Sequence, residues 1–282
     1  MINNHQISLS KTCKLLGISR SLYKYNTKTN QEYLIIKEKL MLLAKNYPRY
    51  GFRKMFNKLK LSGYTWNYKK VYRAYCELKL VLRTKKRKRL PNRNPEVLAQ
   101  PISANICWSI DFMSDSLRNG RKFRTFNVID DFNRECLGIK VDYSISSKKV
   151  VSFLEDISIN KGLPKKIRLD NGPEMISKNL KNWALKNNIL LDFIEPGSPA
   201  QNAYIERFNR TFRQEVLDLY LFRDLREIST VISNWIEDYN YYRPHESLNN
   251  VSPISFLGIH NKIKFSVDLM DNAKALPTTP QL

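Results

Sequence analysis

Asp111, Asp170 and Glu206 stand where a carboxylate can be presented for chemistry. Asp111 lies near the end of an alternating stretch that reads as a strand. Asp170 closes a short apolar run, directly before the turn signal Asn171-Gly172-Pro173. Glu206 sits on the polar face of a segment with helical spacing. Strand ends followed by turns commonly present active-site groups. Three acids on three rigid elements could converge and hold two divalent ions about 4 Å apart, the arrangement that stabilises attacking and leaving oxygens in phosphoryl transfer. Mg2+ (or Mn2+) is the expected ion, because carboxylate oxygens suit it and the chain is poor in His and Cys. Each acid also has a plain structural reading: Asp170 as a turn former, Asp111 as a surface position on an edge strand, Glu206 as a solvated helix residue. Residues 96–282 hold 23 Asp+Glu, so periodicity by itself does not single out this set.

The elements that must position these acids follow from local patterns. Ile106 to Phe112 alternates, with Trp108, Ile110 and Phe112 on one face and Cys107, Ser109 and Asp111 on the other. That makes Trp108 a core residue. Asn119-Gly120 signals a type I′ hairpin, leading to strands over Arg124 to Asp131 and Glu135 to Asp142. Ser146 or Ser147 caps a helix with Val150, Val151, Leu154 and Ile157 inward, ending near Gly162-Leu163-Pro164. A strand over Lys165 to Asp170, a helix from Ser177 to about Asn187 and a strand over Ile189 to Ile194 complete the order β-β-β-α-β-α-β. This is an α/β arrangement, a mixed sheet with flanking helices. Ser198-Pro199-Ala200-Gln201 reads as a capping box. The helix after it carries Ile205, Phe208, Phe212, Val216 and Leu219 as an apolar stripe. Asn202, Glu206, Asn209, Arg210 and Arg213 share its polar face.

Charge is placed unevenly. Residues 1–95 carry 24 Lys+Arg against 3 Asp+Glu, a net of +21, whereas residues 96–282 carry 24 against 23, a net of +1. A basic block of this size is the footprint of phosphate binding; a solvated surface kept for solubility is the plain alternative. Within it, residues 8–25 read as a small helix-turn-helix, with Ser8 or Ser10 and then Ser19 as caps and Gly17 as the break. A second helical pair follows, Tyr50 to Leu61 and Tyr68 to Leu80, broken at Ser62-Gly63 and capped by Asn67. Helix-turn-helix units place one helix in the DNA major groove. The unbroken run Lys85-Lys86-Arg87-Lys88-Arg89, with Pro91 and Pro95 behind it, reads as a linker that tracks a phosphate backbone.

Other classes are disfavoured. No run of 18 uncharged apolar residues occurs, and Met1 to Ser10 lacks the layout of a secretory signal. Cys13, Cys76, Cys107 and Cys136 form no CxxC pair, which disfavours a disulfide framework or thiolate zinc site and fits a cytoplasmic, nucleoid-associated setting.

The stretch RLDNGPEMISKNLKNWALKNNILLDFIEPGSPAQNAYIERFNRTFRQEVLD resembles the catalytic core of frameshift-encoded bacterial insertion-sequence transposases, which share a ribonuclease H-like core with retroviral integrases. WSIDFM resembles the family's first strand, and WIEDYNYYRPHESLNNVSP its C-terminal signature. The resemblance runs from about Tyr47 to Pro253, and 35 residues separate Asp170 from Glu206, the spacing for which the family is named. Carried over residue by residue, it implies that Asp111, Asp170 and Glu206 are the metal-binding, catalytic triad. It implies cleavage of one strand at an element end and attack of the freed 3′-hydroxyl on target DNA. Asn202, Asn209, Arg210 and Arg213 then become candidate DNA contacts beside the scissile phosphate, with a solvated polar face as the alternative. Glu174 is a weak alternative ligand, Asp130 and Asp131 fit hydrogen-bonding or surface roles, and Arg243-Pro244-His245 fits a structural turn as well as a DNA contact.

The expected layout is a short helix-turn-helix at 1–30, a basic all-α DNA-binding region and linker at 31–95, an integrase-like core with C-terminal helices at 96–260, and a tail at 261–282. Expected partners are the element's terminal inverted repeats, target DNA, further copies of the chain on that DNA, and an upstream-frame protein or fusion. No His/Cys zinc module of the retroviral type precedes the core. Two other functions fit parts of the pattern: a DNA-binding regulator with an inactive core, and a nuclease of the ribonuclease H type.

Overall fold

The computed structural model describes residues 8–25, 31–82, 98–195 and 199–262. These fall into two compact units, Met1–Pro48 with Trp66–Val81, and Arg49–Thr65 with Leu82–Leu282. The expected basic linker Lys85–Arg89 and most of the tail lie outside the described residues.

The first unit is helical: α1 (Leu9–Leu15), α2 (Arg20–Tyr23), α3 (Gln31–Asn46) and α5 (Tyr68–Glu77). Ser8 caps α1 by accepting from Lys11 N, and Ser19 caps α2 by accepting from Leu22 N. Gly17, at φ +64°, makes the left-handed turn between them, a conformation glycine adopts without strain. Helix α3 packs on α5, where Lys37 pairs with Glu77 at 2.8 Å and the Tyr33 hydroxyl donates to Glu77 at 2.9 Å. Asn67 caps α5 through Lys69 N.

The second unit contains α4 (Phe52–Leu61) and a five-stranded sheet. Its strands are β1 (Cys107–Ser116), β2 (Lys122–Asp130), β3 (Cys136–Asp142), β4 (Lys166–Leu169) and β5 (Leu190–Phe193), in the order β3-β2-β1-β4-β5. The meander β1-β2-β3 is antiparallel, and β4 and β5 are parallel to β1. The β1-β2 turn is not type I′. Gly120 has positive φ and Asn119 does not; Gly120 N bonds Leu117 O at 2.8 Å and Leu117 N bonds Arg121 O at 2.9 Å. That is a type I turn closed by a left-handed glycine bulge.

Alternation in β1 splits the core into two layers. Trp108 and Ile110 join Phe126, Val128, Ile167 and Leu169 beneath α6 (Ser147–Lys161) and α7 (Lys178–Lys186). Trp108 is fully buried, and its indole N–H donates to Asn105 at 3.0 Å. The opposite layer packs Phe123, Ile129 and Cys136 against α8 (Ala203–Phe212), a π-helical turn Arg213–Leu217 and α9 (Leu225–Glu237). Each fully buried apolar side chain of this kind contributes about 1.5–3 kcal/mol.

Helix α8 starts later than its sequence suggests. Pro199–Asn202 forms a 3-10 turn and Asn202 provides no side-chain cap. Gln201 Oε1 accepts from Glu195 N at 2.9 Å, so it ties the helix entry to the end of β5. Ile205, Phe208, Phe212 and Val216 are buried as the stripe requires, but Leu219 lies past the π-helical turn and is 37% exposed. Another π-helical turn, Asp238–Tyr242, and a helix over residues 253–262 follow.

Candidate active site

Asp111 lies on the central strand, on the face turned to α8. The β1-β4 ladder pairs Trp108 with Ile167 and Ser109 with Arg168. Continued by two residues, that register sets Asp170 beside Asp111, one strand apart, about 5 Å between backbones. Both follow the parity of Ser109 and Arg168, so both belong to the α8 face of the sheet. Ligands of open α/β sheets gather at this carboxyl edge. Glu206 approaches from the first turn of α8.

A chain of hydrogen bonds fixes Asp111. Its Oδ1 accepts from Phe112 N at 2.8 Å, and its Oδ2 accepts from Asn209 Nδ2 at 2.7 Å. Asn209 Oδ1 in turn accepts from Asn127 Nδ2 at 2.7 Å. Asn127 is the β2 residue directly opposite Asp111. A carboxylate can only accept, so Asn209 must turn its amide nitrogen toward Asp111 and its oxygen toward Asn127. Asn209 is three residues past Glu206 and shares its helix face.

The acids repel one another. Burial first, then the negative charges of Asp170 and Glu206, push the Asp111 carboxyl up to about 6, against the lowering effect of the Phe112 and Asn209 hydrogen bonds. Burial also raises Glu206, with Arg210 opposing. Asp170 Oδ1 accepts from Gly172 N at 3.1 Å. A Cβ on Gly172 would sit 3.1 Å from that same oxygen, so a side chain there would press the carboxylate out of its place. Asn171 anchors the turn by donating to Ile194 O at 2.8 Å.

The donor set is all oxygen and carries excess negative charge, which fits a hard divalent cation. Among the described residues no three His, Cys, Asp or Glu side chains are yet gathered to chelate one ion. Asp170 and Glu206 still lie near enough for their charges to act on Asp111.

Other expected site residues fall differently. Asn202 and Asn209 are not on a solvated face; they are 3% and 8% exposed. Asn209 finds polar partners in Asp111 and Asn127 on the sheet beneath α8, whereas the buried Asn202 Oδ1 has no hydrogen-bond partner. Arg210 is exposed. Arg213, in the π-helical turn after α8, reaches to the far end of β1, donating to Asp115 at 3.2 Å and to Ser114 O at 2.9 Å. Glu174 is held by Arg124, which lowers its pKa. Asp130 accepts from the Asn105 and Phe132 amides, and Asp131 pairs with Arg168 at 2.7 Å inside the sheet. Both are framework residues.

The Integrase core domain family matches this chain over residues 102–199 and again over 187–253. The HTH-like domain family matches residues 37–88. A 31.7 kDa protein of insertion element IS407 from Burkholderia multivorans (strain ATCC 17616 / 249) is 39% identical over 90% of this chain and 92% of its own. The chain belongs to the integrase-core transposase family of bacterial insertion elements. A putative transposase InsK for insertion sequence element IS150, from Escherichia coli (strain K12), is 26% identical over 88% of this chain and 93% of its own. A chain of the simian T-cell lymphotropic virus intasome, solved with PP2A regulatory subunit B56 gamma, aligns at 15% identity over 80% of this transposase-family chain and 73% of its own, with a TM-score of 0.48. No helix of the described residues is long and apolar enough to cross a membrane.

Sequence reasoning passed over Asn127 beside Asp111 and, elsewhere on the core, the partner that Glu215 offers Arg243. Asn127 lacks any local signal, since only its register opposite Asp111 gives it a role. Glu215 and Arg243 meet from distant segments, and Arg243 also lies 3.3 Å from the Tyr50 hydroxyl. The arginine alone had a signal, the Arg243-Pro244-His245 motif.

Proposed function

We propose that this chain cuts the ends of an insertion element and joins each freed 3′-hydroxyl to target DNA, with Asp111, Asp170 and Glu206 as the catalytic carboxylates. The β1-β4 register at the carboxyl edge and the Asn209 bond that ties the helix of Glu206 to Asp111 carry this reading. The three carboxylates would hold the divalent ions, two Mg2+ or Mn2+. Bound there, such ions supply Lewis-acid stabilisation of the phosphorane-like charge and lower the pKa of an attacking water.

The chain's own groups supply position. Asn209 and the Phe112 amide keep the Asp111 carboxylate aimed across the sheet edge, and Gly172 holds that of Asp170. In the first step a water oxygen bonds to phosphorus and the P–O3′ bond breaks, leaving a 3′-hydroxyl on the element and a 5′-phosphate on the flank. In the second, that hydroxyl oxygen bonds to a target phosphorus, the target P–O3′ bond breaks, and the hydroxyl proton ends on the departing oxygen. No covalent protein intermediate arises. Preorganised charge and orientation carry the rate.

The basic N-terminal third supports DNA as the substrate, with contacts from Lys85, Lys86, Arg87, Lys88 and Arg89 and, on the Glu206 side of α8, from the exposed Arg210; Arg213 is committed to Asp115 and Ser114. Two element ends must be held together, so the active form is an oligomer assembled on DNA. Incubating the protein with labelled element ends and Mg2+ should give 3′-end cleavage and joined products, abolished in Asp170→Asn and Glu206→Gln. DNA binding with no cleavage under any metal condition would instead support a regulator with an inactive core.

A further inference from the structure

The side of α8 turned away from Glu206 borders a second feature. Tyr204, Arg207, Phe208 and Thr211 lie on the helical face opposite Glu206, Asn209, Arg210 and Arg213, and they line a cavity of about 350 Å3. Its other walls come from α4, the β2-β3 turn and the Arg243–Ser247 segment. Five lining side chains are cationic, Arg53, Lys54, Arg134, Arg207 and Arg243, against one carboxylate, Glu246.

Some of these charges are already met. Glu215 pairs with Arg243 and, at 3.6 Å, with Lys54, and Glu246 lies 3.5 Å from Arg53. Among the described residues no carboxylate lies within ion-pair distance of Arg134 or Arg207. Arg134 is only 8% exposed, yet its Nη1 has no hydrogen-bond partner. Its backbone takes the left-handed conformation, φ +61°, in the turn that aims it inward, and its guanidinium stacks 3.4 Å over the Tyr204 ring. His245 Nε2, sealed from solvent in the same cavity, is likewise unpartnered. A buried cationic donor left without a partner calls for an explanation, and an anion in the cavity supplies one. Burial and the charge of Arg243 also hold Lys54 down to about 8, so the cations repel one another as they stand.

We propose that this cavity is a phosphate site and that a backbone phosphate of bound DNA fills it. A tetrahedral oxyanion presents oxygens in several directions and so reaches Arg134 and Arg207 from different walls at once; arginine forks suit it. Arg53 and Arg207 are exposed at the rim, leaving the cavity open to a chain passing across it. A helix is about 10–12 Å across. A phosphate here is therefore about three base steps of 3.4 Å from the Glu206 side, within one short stretch of DNA. The DNA assignment rests on the transposase reading; the phosphate assignment does not.

The test uses the full chain carrying Glu206→Gln, without divalent ions, so that catalysis plays no part. Duplex binding is followed by anisotropy from 50 to 400 mM salt, and inorganic phosphate is titrated separately by thermal unfolding; both ranges span roughly the window in which counterion release is resolved. Arg207→Gln, at an exposed position, and Arg134→Gln are each added. We expect each to weaken duplex binding and lower the salt slope by about 0.9 for one lost phosphate contact, and phosphate to raise the unfolding midpoint only when both arginines are present. If Arg134→Gln does not fold, Arg207→Gln decides alone. Unchanged slopes together with an unchanged phosphate response would overturn the site. A phosphate response lost in the variants with an unchanged duplex slope would overturn the DNA assignment in favour of a free phosphate ester. Failure of every form to bind duplex would count against the DNA reading itself, while the phosphate titration would still report on the cavity.

Discussion

Asn209 reaches from α8 to Asp111 on β1, amide nitrogen to carboxylate oxygen at 2.7 Å, and thereby couples the helix that carries Glu206 to the strand that carries the first acid. Asn209→Asp keeps the shape but removes the donor and adds a fourth negative charge. Orienting partners of metal ligands are typically worth 10–100-fold in activity. A loss of strand transfer in that range is expected, measured at saturating Mg2+. Asn209→Ala strands the buried Asn127 amide as well and should lower stability by about 1–3 kcal/mol in urea unfolding.

The raised Asp111 carboxyl makes stability depend on pH in a definite direction. Its folded pKa, about 6, lies above the ordinary aspartate value. Its contribution is therefore fully present below about pH 4 and lost as pH rises through about 6. Asp111→Asn never ionises. In metal-free urea unfolding it should be more stable than the unsubstituted protein at pH 8, by up to about 3 kcal/mol, with the gap closing at pH 4. An equal gap at both pH values would contradict this. Mg2+ competes with the same proton, so its stabilising effect should fade as pH drops through about 6.

Gly172 leaves room for the Asp170 carboxylate and for little else. In Gly172→Ala the new Cβ, 3.1 Å from Oδ1, must push the carboxylate aside. Small misplacements of a reacting group are expensive. Strand transfer should fall roughly tenfold or more, while the unfolding free energy changes by only about 1 kcal/mol.

Glu174, four residues past Asp170, separates a ligand from a bystander. Its carboxylate is committed to Arg124 in a partly exposed pair. Glu174→Gln should keep most of the strand-transfer activity and cost about 0–1 kcal/mol of stability. Glu206→Gln should lose the activity while remaining folded by circular dichroism. Matching losses in the two variants would put Glu174 among the ligands.

Arg243 and Glu215 form the buried pair beneath α4, with side chains 4% and 12% exposed. Arg243→Met leaves a largely buried carboxylate facing Lys54 and the Trp235 indole N–H. The expected cost is about 3–5 kcal/mol, with part regained in Arg243→Met combined with Glu215→Met, both read by urea unfolding.

Much of this architecture can be read from the residues because β1 keeps a strict period of two. Trp108 and Ile110 go to one layer, and Ser109 and Asp111 to the other. What the pattern hides is the polar layer between sheet and helix. Asn209 looks like a solvated residue on α8, because helical periodicity registers polarity and is blind to the Asp111 and Asn127 side chains waiting opposite. The hairpin differs for a related reason: Asn119-Gly120 suits type I′, but a three-residue loop with one left-handed glycine fits the same dipeptide. Helix α3 escapes detection because Leu34, Ile35, Ile36, Leu40, Met41 and Leu42 spread around it, and only Ile36 and Leu40 are buried. The cavity beside α8 depends on residues as far apart as Arg53 and His245, which no local signal joins.

Iron-directed cleavage tests the triad most directly. Fe2+ in place of Mg2+, with ascorbate and peroxide, generates radicals that cut the backbone beside the bound ion. The expected result is cutting next to Asp111, Asp170 and Glu206 together, suppressed by excess Mg2+ and lost in Glu206→Gln. Cuts confined to other segments, with all three positions untouched and no response to Mg2+, would contradict the assignment of these acids as the metal-binding centre.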